Sequence, residues 1–203
     1  VHSIMQVSNK KTIISPLGTT QSWSQTPYTT HRKYTVTSKE ADIFVQFIAT
    51  IEERLNFSKH EKEHRSLALS LERYNSALLE STNTDKNLMN AVMGLESLLT
   101  LEKDRGENAF KLGIRTARLL SNLGFDPLKV RESREESYGF RNKVVHGSHV
   151  SETNRNRMNE ILPDILNYLR VGLTVCLLAK NVPKDKMIDM IDRATVSDAH
   201  SAE

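Results

Sequence analysis

Between Thr37 and Asn181 the apolar residues recur at steps of three and four and never in sustained alternation, a period that admits helices and leaves no room for strands. The most demanding stretch is Ile165 to Ala179, apolar nearly all round. A helix without a wet face has to be covered, by its neighbours or by a second copy of the chain. The expectation is an all-α protein, an antiparallel bundle of about five or six main helices with an irregular N-terminal arm. Residues 1–36 read as an extended arm or the remnant of an upstream domain, 37–182 as the bundle, and 183–203 as a short C-terminal helix and tail.

Taken in order, the arm is rich in Ser, Thr and Gln, punctuated by Pro16, Gly18 and Pro27, and carries a basic turn at His31, Arg32 and Lys33. Thr37-Ser-Lys-Glu40 is a capping box opening a helix to about Asn56, with Phe44, Phe47, Ile48, Ile51 and Leu55 on its inner face. A second helix runs from about His60 to Glu80 with Leu67, Leu71, Tyr74 and Leu78 as its seam. A third, about Asp85 to Leu101, turns Leu88, Val92, Leu95 and Leu99 inward. After a charged loop around Gly106, a fourth helix from about Ala109 to Asn122 stops at Gly124, and Pro127 suits the first turn of a fifth. The last long helix, about Thr153 to Lys180, contains Pro163, which predicts a kink or restart, and Lys184 to Arg193 forms a short amphipathic helix.

The 203 residues suffice for one domain with a real core, and 38% apolar with 26% charged residues is a soluble, globular balance. The lone cysteine, Cys176, sits in an apolar helical run, so no internal disulfide is possible and a reducing, cytoplasmic setting is expected. No signal peptide and no uninterrupted apolar span of about 20 residues is visible, so no membrane is expected. The start at Val1 hints at a longer parent chain. A net charge of +3 permits nucleic-acid contact without requiring it. The bases cluster, however, at Lys111, Arg115, Arg118, Lys129, Arg131, Arg134, Arg141 and Lys143; the alternative is a solvated face paired with Glu132, Glu135 and Glu136.

Polar chemistry concentrates between Asp126 and Val150, above all in Tyr138 to Gly147, Y-G-F-R-N-K-V-V-H-G. On a helix at about 100° per residue, Tyr138, Asn142 and His146 form one stripe, while Val144 and Val145 point into packing. Arg141 lies about 140° from His146 around that helix, so the two converge only if the helix ends or distorts at Gly147 or a second surface completes the site. The spacing suggests a site shared by two chains.

R-N-K-V-V-H resembles the R-polar-x-x-x-H signature of HEPN domains, and its wording is closest to the Apea-like branch. The helix N-A-V-M-G-L-E-S-L-L from Asn90 to Leu99 is similar to that branch's small-x-x-x-L-E-x-L-L helix; F-K-L-G-I-R-T-A-R-L-L from Phe110 to Leu120 is similar to its arginine-bearing successor. The resemblance covers roughly residues 35–181 and implies a helical bundle that dimerises and cleaves RNA without metal or other cofactor. RNA supplies its own nucleophile, the 2′-hydroxyl, so cleavage needs a base, an acid and a cation for the crowded phosphorane. The resemblance assigns these roles to Arg141, Asn142 and His146. An arginine can grip two phosphate oxygens, a histidine can act as base or acid near neutral pH, and a two-fold dimer supplies both. Products would be a 2′,3′-cyclic phosphate and a 5′-hydroxyl. Tyr138, Lys143 and Arg134 are the candidate substrate-binding residues, and Glu96 and Arg115 the structural partners of the arginine. The resemblance further implies the effector part of a bacterial anti-phage or toxin-like system, with a possible upstream sensor domain. The competing expectation is a non-catalytic dimerisation, RNA- or nucleotide-binding bundle in which Arg141 pairs with Glu96 or a neighbouring acid and His146 caps its helix.

His60 to His64, H-E-K-E-H, matches the zinc-protease pattern literally. Its flanks, Lys59 and Arg65, and the lack of apolar neighbours or a third ligand motif favour a charged first turn instead. No Gly-rich phosphate loop and no nucleophile elbow is present.

Overall fold

The computed structural model describes residues 12–14, 20–22, 36–55, 61–80, 83–104, 108–179 and 182–200. His31, Arg32, Lys33, Gly106 and His60 lie outside these residues, as do the side chains of Ile51, Leu55 and Glu61 to His64. Two short strands, β1 (Thr12–Ile14) and β2 (Thr20–Ser22), pair antiparallel with Ile13 opposite Gln21, so part of the arm is a small ladder rather than irregular chain. Every other described element is helical: α1 (Ser38–Leu55), α2 (Glu61–Asn75) continuing as a π-helical turn (Ser76–Glu80), α3 (Thr84–Leu99), α4 (Asn108–Ser121), α5 (Pro127–Val145), α6 (Glu152–Leu178) and α7 (Lys184–His200). The all-α bundle is the fold of this chain.

The core forms where α3 lies against α2, α5 and α6. Leu88, Ala91, Val92, Leu95, Leu98 and Leu99 of α3 are buried, as its period requires, and each buried leucine contributes about 1.5–3 kcal/mol. They meet Leu162, Ile165, Leu169 and Leu173 of α6, the helix whose apolar composition called for cover. Among the described residues α6 alone is long and apolar enough to cross a membrane by length and composition, and its place at the centre of the bundle accounts for that composition. It runs unbroken through Pro163 and does not restart there.

Three helices converge at Gly94. A Cβ there would stand 2.6 Å from Leu169 Cδ2 and 3.5 Å from Arg73 Cβ, and the buried Ser70 hydroxyl of α2 donates to the Gly94 carbonyl at 2.9 Å. A side chain at position 94 would force the Leu169 side chain of α6 to move, while Arg73 of α2 would stand at ordinary contact distance.

The periphery departs from expectation in two places. The capping box forms, with Thr37 N–H donating to Glu40 Oε2 at 2.8 Å and Glu40 N–H to Thr37 Oγ1 at 3.3 Å. Yet α1 packs mainly on α6, and among its described side chains only Phe47 and Ile48 reach the core while Phe44, expected inside, is 57% exposed beside exposed Ile43 and Val45. At the other end α7 is longer than the pattern suggested and belongs to the bundle: Ile188 and Ile191 are buried beside α4, and Lys184 Nζ donates to Ser97 O at 2.7 Å.

Candidate active site

Helix α5 begins at a built cap. The Asp126 carboxylate accepts from Leu128 N–H at 2.9 Å and Lys129 N–H at 3.4 Å, with Pro127 in the first turn. It ends at His146, whose N–H donates to Asn142 O at 3.0 Å. Gly147 follows at φ +68°, its N–H donating to Val144 O at 3.1 Å, while Ser148 N–H reaches Lys143 O at 2.9 Å. This paired closure satisfies the last carbonyls and needs a left-handed residue at position 147. The helix therefore stops just where the imidazole leaves it, and the His146 side chain is exposed.

Along the inner face of α5, Val130, Arg134, Ser137 and Arg141 follow one another at steps of four, three and four. Arg134 and Ser137 are buried, and Arg141 emerges at the rim with its side chain 24% exposed. Facing it stands Glu96 of α3, whose Oε2 accepts from Arg141 Nη2 at 3.4 Å; Arg141 Nη1 donates to Asn142 Oδ1 at 3.1 Å. Arg141 Nε is buried without a partner. The Tyr138 ring has both guanidinium groups near it, Arg134 Cζ at 5.5 Å and Arg141 Cζ at 5.8 Å from its centroid.

The sequence-predicted residues thus divide. Arg141, Asn142, Glu96 and Tyr138 come together. His146 lies beyond them at the helix end, and among the described residues no hydrogen bond joins it to Arg141, as the wide angular separation around the helix implies. Lys143 is exposed, its Nζ lying 5.5 Å from the centroid of the Phe140 ring.

Two assignments need correction. Arg134, expected to bind substrate, is 1% exposed: it points into the core, Nη1 donates to Ser137 Oγ at 3.2 Å, and Nε and Nη2 have no partner. Burial holds its pKa down to about 10, opposed by Glu96 and Tyr138 and reinforced by Arg141. Arg115, expected to support Arg141, lies in a separate network, donating to Leu99 O, Asp104 and Asp192. The step of four, three and four from Val130 to Arg141 was the sequence signal for the buried arginine; it was overlooked because arginines are read as surface residues.

The wider basic segment is partly neutralised. Arg131 Nε meets Glu135 at 2.8 Å and its guanidinium lies over Phe110, Lys111 sits 3.7 Å from Asp104 and Lys129 3.9 Å from Asp164, whereas Glu136 is taken by Arg157 of α6 at 2.8 and 2.9 Å. Among the described residues no group of three or more His, Cys, Asp or Glu is arranged to hold a metal ion. No protein-family model, no curated protein and no solved structure matches the chain.

Proposed function

We propose that this chain is a metal-independent endoribonuclease whose site at the end of α5 is completed by a second copy, so that two Arg141 guanidinium groups and two His146 imidazoles face one scissile phosphate. The observation that carries this reading is the state of Arg141: partly exposed, held by one 3.4 Å contact to the carboxylate of Glu96 and one 3.1 Å bond to Asn142, and one helix end away from an exposed imidazole. A guanidinium so loosely paired keeps donors for phosphate oxygens and stays charged throughout a reaction. His146 takes the 2′-hydroxyl proton and its symmetry mate protonates the leaving 5′-oxygen, giving a 2′,3′-cyclic phosphate. Asn142, already on Arg141, fixes the orientation of the guanidinium. An effector role in bacterial defence belongs to the same proposal and rests on the HEPN resemblance.

The test is cleavage of mixed-sequence RNA in EDTA by the wild type, Arg141→Ala and His146→Ala, with dimerisation followed by light scattering. The reading requires cleavage by the wild type, loss of it in both variants, and unchanged helix content and association. A second reading, a non-catalytic bundle that binds RNA or dimerises, is favoured by the Arg141–Glu96 pair and by the separation of Arg141 from His146. It requires an inert wild type and loss of fold or association in Arg141→Ala.

A further inference from the structure

Two guanidinium groups and one carboxylate occupy the inner side of this site. Arg141 contacts Glu96 at 3.4 Å, Arg134 lies against the same Tyr138 ring as Arg141, at 5.5 and 5.8 Å from its centroid, and the Glu96 charge opposes the effect of burial on Arg134. The cluster therefore carries an excess positive charge where charge is expensive. Its hydrogen bonding is as unbalanced as its charge: Glu96 gives Arg141 one long contact, while Arg134 keeps two buried N–H groups, Nε and Nη2, with nothing to donate to. Such an arrangement offers the carboxylate a second partner besides Arg141, the buried donors of Arg134.

We propose that Arg134 is a positioning residue that takes over the Glu96 carboxylate when a phosphate oxygen of bound RNA occupies the Arg141 guanidinium. In the structure described, Glu96 lies on Arg141 and occupies part of the fork that phosphate needs. An incoming phosphate displaces it, and a partly buried carboxylate left without a partner would raise the energy of the bound state. The unpartnered Nε and Nη2 of Arg134 donate to that carboxylate, so phosphate binding ends with each guanidinium facing an anion and the excess charge removed. Tyr138, with both guanidinium groups near its ring, restrains their planes in either setting. This relay rests on the reading of Arg141 as the phosphate-binding group, and it does not depend on whether the bond is then cut.

The experiment measures binding of a mixed-sequence single-stranded RNA methylated at every 2′-oxygen, which removes the internal nucleophile, and cleavage of the unmodified RNA alongside. Arg134→Met should weaken binding about tenfold, because Glu96 then stays on Arg141, and Arg134→Lys should recover part of the loss. Glu96→Gln should tighten binding. The combined Arg134→Met, Glu96→Gln variant should bind like Glu96→Gln alone, since no carboxylate remains to be moved; a purely structural Arg134 would leave it as weak as Arg134→Met. Binding unchanged in Arg134→Met, a combined variant as weak as Arg134→Met, or weaker binding by Glu96→Gln each overturns the relay, the last even if Arg134→Met fails to fold. The expected binding pattern without cleavage by the wild type supports the relay and removes the nuclease. Intact cleavage with Arg134→Met binding as the wild type does removes the relay alone, and a wild type that binds no RNA removes both.

Discussion

Arg115 of α4 holds Asp192 of α7 at both carboxylate oxygens, Nε to Oδ1 at 2.8 Å and Nη2 to Oδ2 at 2.8 Å, across 77 residues of sequence. Its remaining donor, Nη1, reaches Leu99 O at the end of α3 at 3.0 Å and the Asp104 carboxylate in the loop that follows. One buried guanidinium therefore fastens three helices and a loop, and such forked pairs are the stronger kind of ion pair.

Removing either partner should expose this. Asp192→Ala, at a half-exposed carboxylate, should cost about 1–2 kcal/mol, and Arg115→Met about 3 kcal/mol, since it removes the close cation from buried Asp104 and leaves the longer contact to Lys111. Urea denaturation of the two single variants and the double variant measures both costs and their coupling. Equal, small losses in both would show that the fork is ornamental.

The same network sets a dependence on acid. The hydrogen bond from Arg115 is the main reason the Asp104 pKa is lowered from 3.8 to about 2. The folded value lies below the unfolded one, so ionised Asp104 stabilises the fold above about pH 4, and the contribution is lost as pH falls from 4 towards 2. Its size should be about 1–2 kcal/mol after solvent screening. The denaturation midpoint followed from pH 6 to 2 should fall less steeply in Asp104→Asn than in the wild type; parallel curves would contradict the assignment.

At Gly94 the crowding against Leu169 is specific enough to predict non-additivity. Gly94→Ala should cost about 1–2 kcal/mol through overpacking, despite alanine's better helix propensity. In a Leu169→Ala background the same change should be neutral or favourable, because the side chain it meets is gone. Thermal melts of the four proteins complete the cycle, and simple additivity would mean that the close approach is not what keeps a glycine there.

Gly147→Ala addresses the end of α5. At φ +68° an alanine is strained by about 1 kcal/mol, and the closure that fixes His146 as the last cap residue loosens. If the proposed nuclease activity holds, RNA cleavage should fall while helix content by circular dichroism stays near that of the wild type. Gly147→Asn, which tolerates this backbone region better, should keep more activity than Gly147→Ala.

Much of this was legible in the order of residues. The capping box at Thr37 and Glu40, the Asp126–Pro127 start, the stops at Gly124 and Gly147 and the inward stripe of α3 all depend on neighbours within about four positions, and those neighbours are fixed by the chain itself. The end of α7 was missed for a local reason as well. Beyond Arg193 no stop residue appears, and Thr195 Oγ1 donates back to Ile191 O while Ser197 Oγ donates to Ala194 O, so polar residues continue a helix that apolar periodicity had ceased to mark.

The sequence by itself determined that this protein is a bundle of helices and that a guanidinium, an amide and an imidazole crowd the last turns of one of them. Only the tertiary structure decided that Phe44 stays in solvent, that Arg115 meets Asp192 rather than Arg141, and that Arg134 is buried with two of its N–H groups unpartnered. The physical reason is range. Helix period and capping are settled within a turn or two, whereas the partner of a buried charge depends on which helices become neighbours, and that is set by the packing of the whole core.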